Sequence, residues 1–179
     1  MWASPMVLSF RSISIEAVAV RPGFVAAGHV MSDLDQAIAV TEYGMWRRLV
    51  IMLAGAAAEA QVFGGSIGHY DDAQTAHDLS EELALRKFEA PAFEWSGPAF
   101  KLPIMDGSAK SIALTKTAFV AAWKIVEVFG LKFDRVVQLL LTRRTLRESD
   151  VEEVLGSRLA SKFFWLIEIL ILDLGAQAK

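Results

Sequence analysis

The sequence contains no cysteine, so disulfide bonds and thiolate metal sites are excluded. A metal ion could be held here only by His, Asp or Glu side chains. The chain has three histidines, at His29, His69 and His77, and none of them is followed directly by glutamate. A metal site in this chain would therefore depend on these three histidines and on carboxylates.

A strong charge of one sign and a long apolar run are also missing. The net charge of −3 gives no support for nucleic-acid binding, and we expect no nucleic-acid partner. The N-terminal residues MWASPMVLSF lack the basic region of a secretory signal. The nearest candidate for a membrane span, residues 163–174, contains Glu168 and is too short to cross a bilayer. We predict a cytoplasmic protein in which this stretch is a buried helix or an interfacial, membrane-associated segment.

Length and composition predict one domain that is mainly helical. The 179 residues are 54% hydrophobic, with many alanines in helical segments, which is enough to bury a sizeable core. We assign residues 1–179 to a single domain and leave an apolar tail, residues 159–179, unassigned. The predicted fold class is mainly α, a bundle-like arrangement of helices with a small N-terminal β-hairpin.

The hairpin is predicted at residues 12–31. SISIEAVAV alternates and is rich in β-forming residues, Arg21-Pro22-Gly23 is typical of a turn, and residues 24–31 form the second strand. His29 lies on this second strand, and we interpret it as an ordinary hydrogen-bonded or exposed histidine. Residues 32–36 are polar and predict a turn.

The first long helix is predicted to begin near Thr41. Its side chain is suited to cap the helix, because a hydroxyl oxygen can accept from a free N–H of the first turn. Arg47 and Arg48 lie on the early turns of this helix. We expect this arginine pair on a solvated face or beside a carboxylate.

Residues 49–79 contain an apolar helix, a glycine-rich break and a second helix that opens on two aspartates. A run of small residues in the first helix allows another backbone to approach closely, so burial on more than one side is expected. Glu59 lies in this run, where a buried carboxylate needs a partner. Gly64 ends the helix. Asp71 or Asp72 then caps the next helix, whose positive N-terminal dipole favours a carboxylate.

This stretch resembles the peptidase domain of the FtsH-like ATP-dependent zinc metalloproteases. In that family, LAGRAAEE is followed by VFG and by a TGASNDL-like turn, whose aspartate is the third zinc ligand. Asp72 lies at that aspartate's position, four residues after Gly68. The resemblance covers most of residues 13–155 and is strongest over residues 49–79. The matching residues are Leu53, Ala54, Gly55, Ala57, Ala58, Glu59, Val62, Phe63, Gly64, Gly68 and Asp72.

The resemblance implies a helical, bundle-like peptidase domain with zinc as its cofactor and a protein or peptide as its substrate. Asp72 would be a zinc ligand, and Glu59 would support the site from outside the ligand set. His69, three residues before Asp72, could approach the same metal, although two ligands are too few for a stable zinc site. Without the resemblance, an N-cap would be the first interpretation of Asp72.

The family also implies partners. A homo-oligomer, such as a ring, is one expectation. An ATPase module is another, and it would have to lie on another chain, because no G-x-x-x-x-G-K-S/T loop occurs in this sequence. Hydrolysis of ATP by this chain itself is therefore not expected.

The sequence departs from the family in the residues that perform the chemistry. The family carries two zinc-binding histidines and its catalytic glutamate in an HEAGH helix, and no H-E-x-x-H occurs in these 179 residues. Ala56 replaces the family arginine, and Ala60 replaces the second acidic residue after Glu59. Two hypotheses follow. The chain is a zinc metalloendopeptidase domain, N-terminally truncated or degenerate and inactive alone, or it is a non-catalytic pseudo-peptidase that acts as a binding or assembly module.

The second half is predicted to be helical except for residues 89–106. This segment holds three of the five prolines and several aromatic residues. We predict an extended segment laid over the core, and we prefer packing to a partner-binding role.

Three helices are predicted after that segment. Gly107 and Ser108 begin the first, and Gly130 ends it. A leucine-rich helix follows over residues 131–142. Ser149 and Glu152 then form a capping box, S-x-x-E, for a final short helix.

Overall fold

The computed structural model describes residues 8–16, 18–21, 24–26, 29–65, 70–93, 95 and 107–155. In these ranges the protein is mainly helical with a small N-terminal β-hairpin, which confirms the predicted fold class. The described residues fall into two compact units. One lies within Met1–Asp35 and Phe129–Leu166, and the other lies within Gln36–Val128 and Ile167–Lys179. The single domain stays a prediction, because two compact units can belong to one domain.

The first unit contains the hairpin, made of β1 Leu8–Ser14, β2 Val18–Arg21, β3 Phe24–Ala26 and β4 His29–Leu34. β2 pairs with β3, and β1 pairs with β4, both antiparallel. The first predicted strand is divided in two, because residues 15 and 16 belong to neither β1 nor β2. The alternating pattern located the hairpin correctly, but it carries no signal for the interruption between the inner and outer pairs.

β4 extends farther than the polar composition of its end suggested. Ser32 and Asp33 pair with Phe10 and Ser9 of β1, and Gln36 is already the first residue of a short helix. The turn predicted over residues 32–36 is therefore wrong except at Asp35. Asp33 accepts from Arg11 across the strands, with an Nε–Oδ2 distance of 2.5 Å. Opposite charges on neighbouring strands are compatible with a ladder. Because both side chains are exposed, this ion pair contributes less than about 1 kcal/mol.

The pair of β1 and β4 is extended to a three-stranded sheet by β5 Thr145–Arg147. β5 pairs with the other edge of β1, which gives the strand order β4-β1-β5. Leu146 lies opposite Ile13 and is completely buried. The carbonyl of Arg144 accepts from the N–H of Ile15 at 2.9 Å and from the Ser14 hydroxyl at 3.2 Å. These bonds hold the start of β5 against the end of β1.

The second unit contains α1 Gln36–Ala39, α2 Glu42–Phe63, α3 Tyr70–Leu85 and the first part of α4 Ala109–Arg143. α2 and α3 pack on each other. None of the described helices combines the length and the apolar character needed to cross a bilayer. The apolar residues at helical spacing on either side of the glycine break are predicted to face the core. Met52 is only half-buried, and the others are buried, namely Leu49, Leu53, Ala56, Ala57, Ala60, Ala76, Leu79 and Leu83.

The start of α2 is fixed by two local features. Thr41 is the N-cap, as predicted, and its hydroxyl oxygen accepts from the N–H of Gly44 at 3.0 Å. A Cβ atom on Gly44 would lie 1.9 Å from the carbonyl oxygen of Ile38, so no side chain fits at that position. The close contact between the α1 end and the first turn of α2 therefore requires glycine.

The prediction of a solvated face for Arg47 is wrong. Arg47 is only 5% exposed, and its guanidinium lies 5.6 Å from the centre of the Tyr43 ring. An arginine stem covers apolar surface while its planar head stacks on an aromatic face. Arg48, its neighbour, is half-buried.

α4 is one continuous helix of 35 residues, so Gly130 does not end it as predicted. A glycine inside a helix costs only about 1 kcal/mol relative to alanine, and residues on both sides keep a helical pattern. The predicted start is correct, because the Ser108 hydroxyl accepts from the N–H of Ser111 at 3.1 Å. The C-terminal part of α4, from Phe129, lies in the first unit.

The last described helix, α5 Glu148–Leu155, begins two residues earlier than a cap at Ser149 predicts. The capping box of Ser149 and Glu152 is wrong. Instead, the Asp150 carboxylate accepts from the N–H of Arg147 at 2.8 Å and also bonds the Arg143 guanidinium. The unassigned tail over residues 159–179 lies outside the described residues.

Candidate functional site

The helix, glycine break and helix that carry the resemblance are present in the second unit. α2 ends at Gly64, which has a left-handed φ of 73° and donates its N–H to the carbonyl of Ala60 at 3.0 Å. This confirms the predicted end of the first helix. Gly68 lies outside the described residues, and α3 begins at Tyr70.

Asp72 lies in the first turn of α3, and its residue is exposed. The prediction that Asp71 or Asp72 precedes the helix as its cap is wrong, because both residues lie inside it. Asp72 nevertheless lies at the positive end of the helix dipole, which favours its charged form and the helix start. The position leaves the carboxylate accessible from solvent.

The other residues of the predicted zinc site are placed only in part. Glu59 lies one turn before the end of α2 and is half-buried. His69 lies outside the described residues, so its distance from Asp72 stays a prediction. Within the described ranges, no three His, Asp or Glu side chains are close enough together to hold a metal ion.

The donor set can be compared with the needs of zinc. A catalytic zinc ion usually takes three protein ligands and keeps a fourth position for water. The sequence positions assigned here supply Asp72 and, at most, His69. This set does not fit a stable zinc site, so no catalytic step can be derived through the metal.

A second polar cluster lies where α3 meets the start of α4, and the sequence analysis missed it. Glu81 Oε1 accepts from the backbone N–H of Ser108 at 2.8 Å and from the Ser111 hydroxyl at 2.6 Å. Ser111 is only 2% exposed. The hydrogen bond from Ser111, then that from the Ser108 N–H, and the nearby His77 hold the pKa of the Glu81 carboxyl below its ordinary value of 4.5.

Gly107 makes this cluster possible. A Cβ atom on Gly107 would lie 2.7 Å from Glu81 Oε1, 2.7 Å from Ser111 Oγ and 3.4 Å from His77 Cε1. A side chain at Gly107 would therefore displace the Glu81 carboxylate or the Ser111 hydroxyl. Sequence reasoning found the helix start at Ser108, but the carboxylate that completes it comes from another helix and gives no local signal.

The aromatic segment before α4 packs against the helix in its described part. The rings of Trp95 and Trp123 meet edge to face, with centroids 5.2 Å apart and planes at 83°. Trp123 also lies beside Phe119, at 6.1 Å. Glu89 bonds Lys110 in the first turn of α4, with an Oε1–Nζ distance of 2.5 Å. Packing is thus the observed role of Trp95, while residues 96–106 lie outside the described ranges.

The fold and the site define a mainly helical protein with a small β-sheet, in which α2 ends at Gly64 and Asp72 lies in the first turn of α3. No family model matches the chain, and no curated protein is significantly similar to it. The resemblance to the FtsH-like peptidase domain therefore stays a prediction from the sequence.

Proposed function

We propose that this chain is a derivative of the FtsH-like peptidase domain that does not hydrolyse peptides alone and acts as a binding or assembly module. The observation that supports it is the α2–Gly64–α3 arrangement, with Asp72 in the first turn of α3. The resemblance implies a third zinc ligand in the turn just before this helix, and Asp72 lies close to that position, inside the helix start. The matching residues of α2 and the turn support common descent.

The absence of the catalytic motif from the sequence supports the proposal that this chain does not hydrolyse peptides alone. Zinc-dependent peptide hydrolysis needs a glutamate base and two histidines beside the aspartate, and the sequence has no H-E-x-x-H to provide them. Asp72 can supply only one carboxylate ligand, which is exposed in the first turn of α3. Activity would require another chain to supply the two histidines and the base.

The test is zinc content and peptidase activity of the purified chain. After incubation with zinc and gel filtration, we expect much less than one zinc per chain by elemental analysis, and no cleavage of casein. Asp72→Ala should change neither result. Asp78→Ala is the matched control, because Asp78 is an exposed carboxylate of the same helix. One zinc per chain that is lost in Asp72→Ala but kept in Asp78→Ala would refute the proposal.

Assembly is favoured by exposed apolar side chains at the end of α2. Val62 is 72% exposed and Phe63 is 79% exposed, next to the glycine turn. Exposed apolar groups of this kind often mark interaction surfaces. We propose that a second copy of the chain covers them.

Sedimentation velocity over a range of concentrations tests this assembly. We expect a concentration-dependent rise in sedimentation coefficient for the native chain and a smaller rise for Phe63→Ser. Val40→Ser is the control, since Val40 is also exposed, at 57%, and lies before α2. A monomer at every concentration, or equal effects of the two variants, would count against assembly through Phe63.

A further inference from the structure

We propose that Glu81 is an acid-sensitive latch that holds the start of α4 against α3. One carboxylate oxygen receives two donors from the α4 start, the N–H of Ser108 at 2.8 Å and the hydroxyl of Ser111 at 2.6 Å. The latch thus joins two elements that are separated in sequence by the segment after α3. It is independent of zinc and of peptidase activity.

The charge of the carboxylate is what makes the latch strong. The first N–H groups of a helix have no partner within the helix, and they carry the positive end of its dipole. An ionised carboxylate satisfies the Ser108 N–H there and forms a charge-assisted bond with the buried Ser111 hydroxyl. A protonated carboxyl accepts more weakly and carries no charge to meet the dipole. A Cβ atom on Gly107 would lie 2.7 Å from the same carboxylate oxygen, so the absence of a side chain there leaves room for the acid.

The charged surroundings of Glu81 are simple. On its own helix, His77 lies one turn earlier, and its positive form favours the charged carboxylate. On α4, residues 107–115 contain one ionisable side chain, Lys110, and its Nζ lies 2.5 Å from Glu89 Oε1. No charged group of α2 is among the causes of the lowered pKa of the Glu81 carboxyl. Protonation of Glu81 itself is therefore the event that opens the latch.

The direction of the pH effect follows from the pKa. Folding lowers the pKa of the Glu81 carboxyl from its ordinary value of 4.5. A group of this kind stabilises the folded latch fully above its ordinary pKa, and the stabilisation is lost as the pH falls through the lowered pKa. The latch is closed near neutral pH and opens in acid.

Hydrogen exchange followed by NMR tests the latch on the full chain. Protection factors of the Ser108 and Ser111 amides are measured from about pH 7 to about pH 3, with the Leu53 amide of the α2 core as an internal reference. In the native chain we expect the two serine amides to lose protection several-fold in acid before Leu53 does. Glu81→Gln should give low protection of the Ser108 amide already at neutral pH and no acid transition.

Two further variants keep the proposal open to refutation. Glu82→Gln is the matched control, because Glu82 is the neighbouring carboxylate and bonds Arg86 instead. It should leave the acid transition unchanged. Ser111→Ala keeps the charge but removes the largest cause of the lowered pKa, so the transition should move to higher pH. Protection that does not change with pH in the native chain, or a transition that persists in Glu81→Gln, would overturn the latch.

Discussion

Asp72 and Glu81 are carboxylates of the same helix, α3, but they lie in different surroundings. Asp72 is exposed in the first turn, beside the glycine break that ends α2. Glu81 lies more than two turns farther along, where two donors from the start of α4 converge on one of its oxygens. The first residue was found from a local sequence pattern, and the second only from packing.

The roles proposed for the two carboxylates rest on different kinds of evidence, one on sequence spacing and the other on observed contacts. Asp72 takes its proposed role from a spacing, four residues after Gly68, and needs groups that the described residues do not bring together. Glu81 takes its role from contacts that are already made. Its lowered pKa has a visible physical cause, whereas the resemblance gives Asp72 a chemistry without its partners. A local pattern thus supports the proposed resemblance, while the packed cluster supports a proposal that rests on contacts between α3 and the start of α4.

The largest loss of stability is expected when a side chain is added at Gly107, because it would disturb the contacts of Glu81. The new methyl group of Gly107→Ala would lie 2.7 Å from both Glu81 Oε1 and Ser111 Oγ. We expect a loss of about 1–3 kcal/mol in the free energy of unfolding, measured by urea denaturation. Gly65→Ala, just after the end of α2, is the control, because no atom lies within 4 Å of its Cβ position. Equal stability of the two variants would show that the cluster is loosely packed.

Replacing Gly64, the left-handed residue that ends α2, should have an intermediate effect on stability. Gly64 has a φ of 73° that an L side chain adopts at a cost, although no atom lies within 4 Å of its Cβ position. We expect Gly64→Ala to lose about 1 kcal/mol in thermal or urea unfolding. Gly64→Asn should lose less, because asparagine tolerates this conformation better. A larger loss in Gly64→Asn than in Gly64→Ala would contradict the backbone origin of the effect.

The smallest effect is expected at Gly130, a glycine outside both regions that provides a reference. It lies inside α4, without a positive φ, and no atom lies within 4 Å of its Cβ position. We expect Gly130→Ala to raise the free energy of unfolding by about 0.5–1 kcal/mol. Gly130→Pro should instead destabilise the protein, since proline interrupts a helix. A loss of stability in Gly130→Ala would mean that this part of α4 is not a regular helix.

The fold could be predicted where a feature depends on neighbours in sequence. The Thr41 cap, the end of α2 at Gly64 and the buried positions of α2 and α3 follow from residue types and helical spacing. Gly130 shows the limit of that reasoning. It has the same residue type as Gly64, but a helix continues through it because the flanking residues retain a helical pattern.

Features that join distant parts of the chain could not be predicted in this way. β5 consists of three residues, and its pairing with β1 crosses more than a hundred positions of sequence. The Glu81 cluster depends on how α3 packs beside the start of α4. Arg47 is charged in sequence but buried beside Tyr43 in the fold. No local pattern distinguishes these residues from ordinary surface residues of a helix or loop.

The edge-to-face contact of Trp95 and Trp123 gives the molecule an internal optical signal. Two indole rings with centroids 5.2 Å apart, at 83° to each other, are close enough for their electronic transitions to couple. Coupled chromophores in a fixed, chiral arrangement produce a paired band in circular dichroism that isolated tryptophans lack. Because Trp95 belongs to the segment before α4 and Trp123 to α4 itself, the band reports whether that segment lies on the helix. Its loss can be followed without any label, separately from the helical signal.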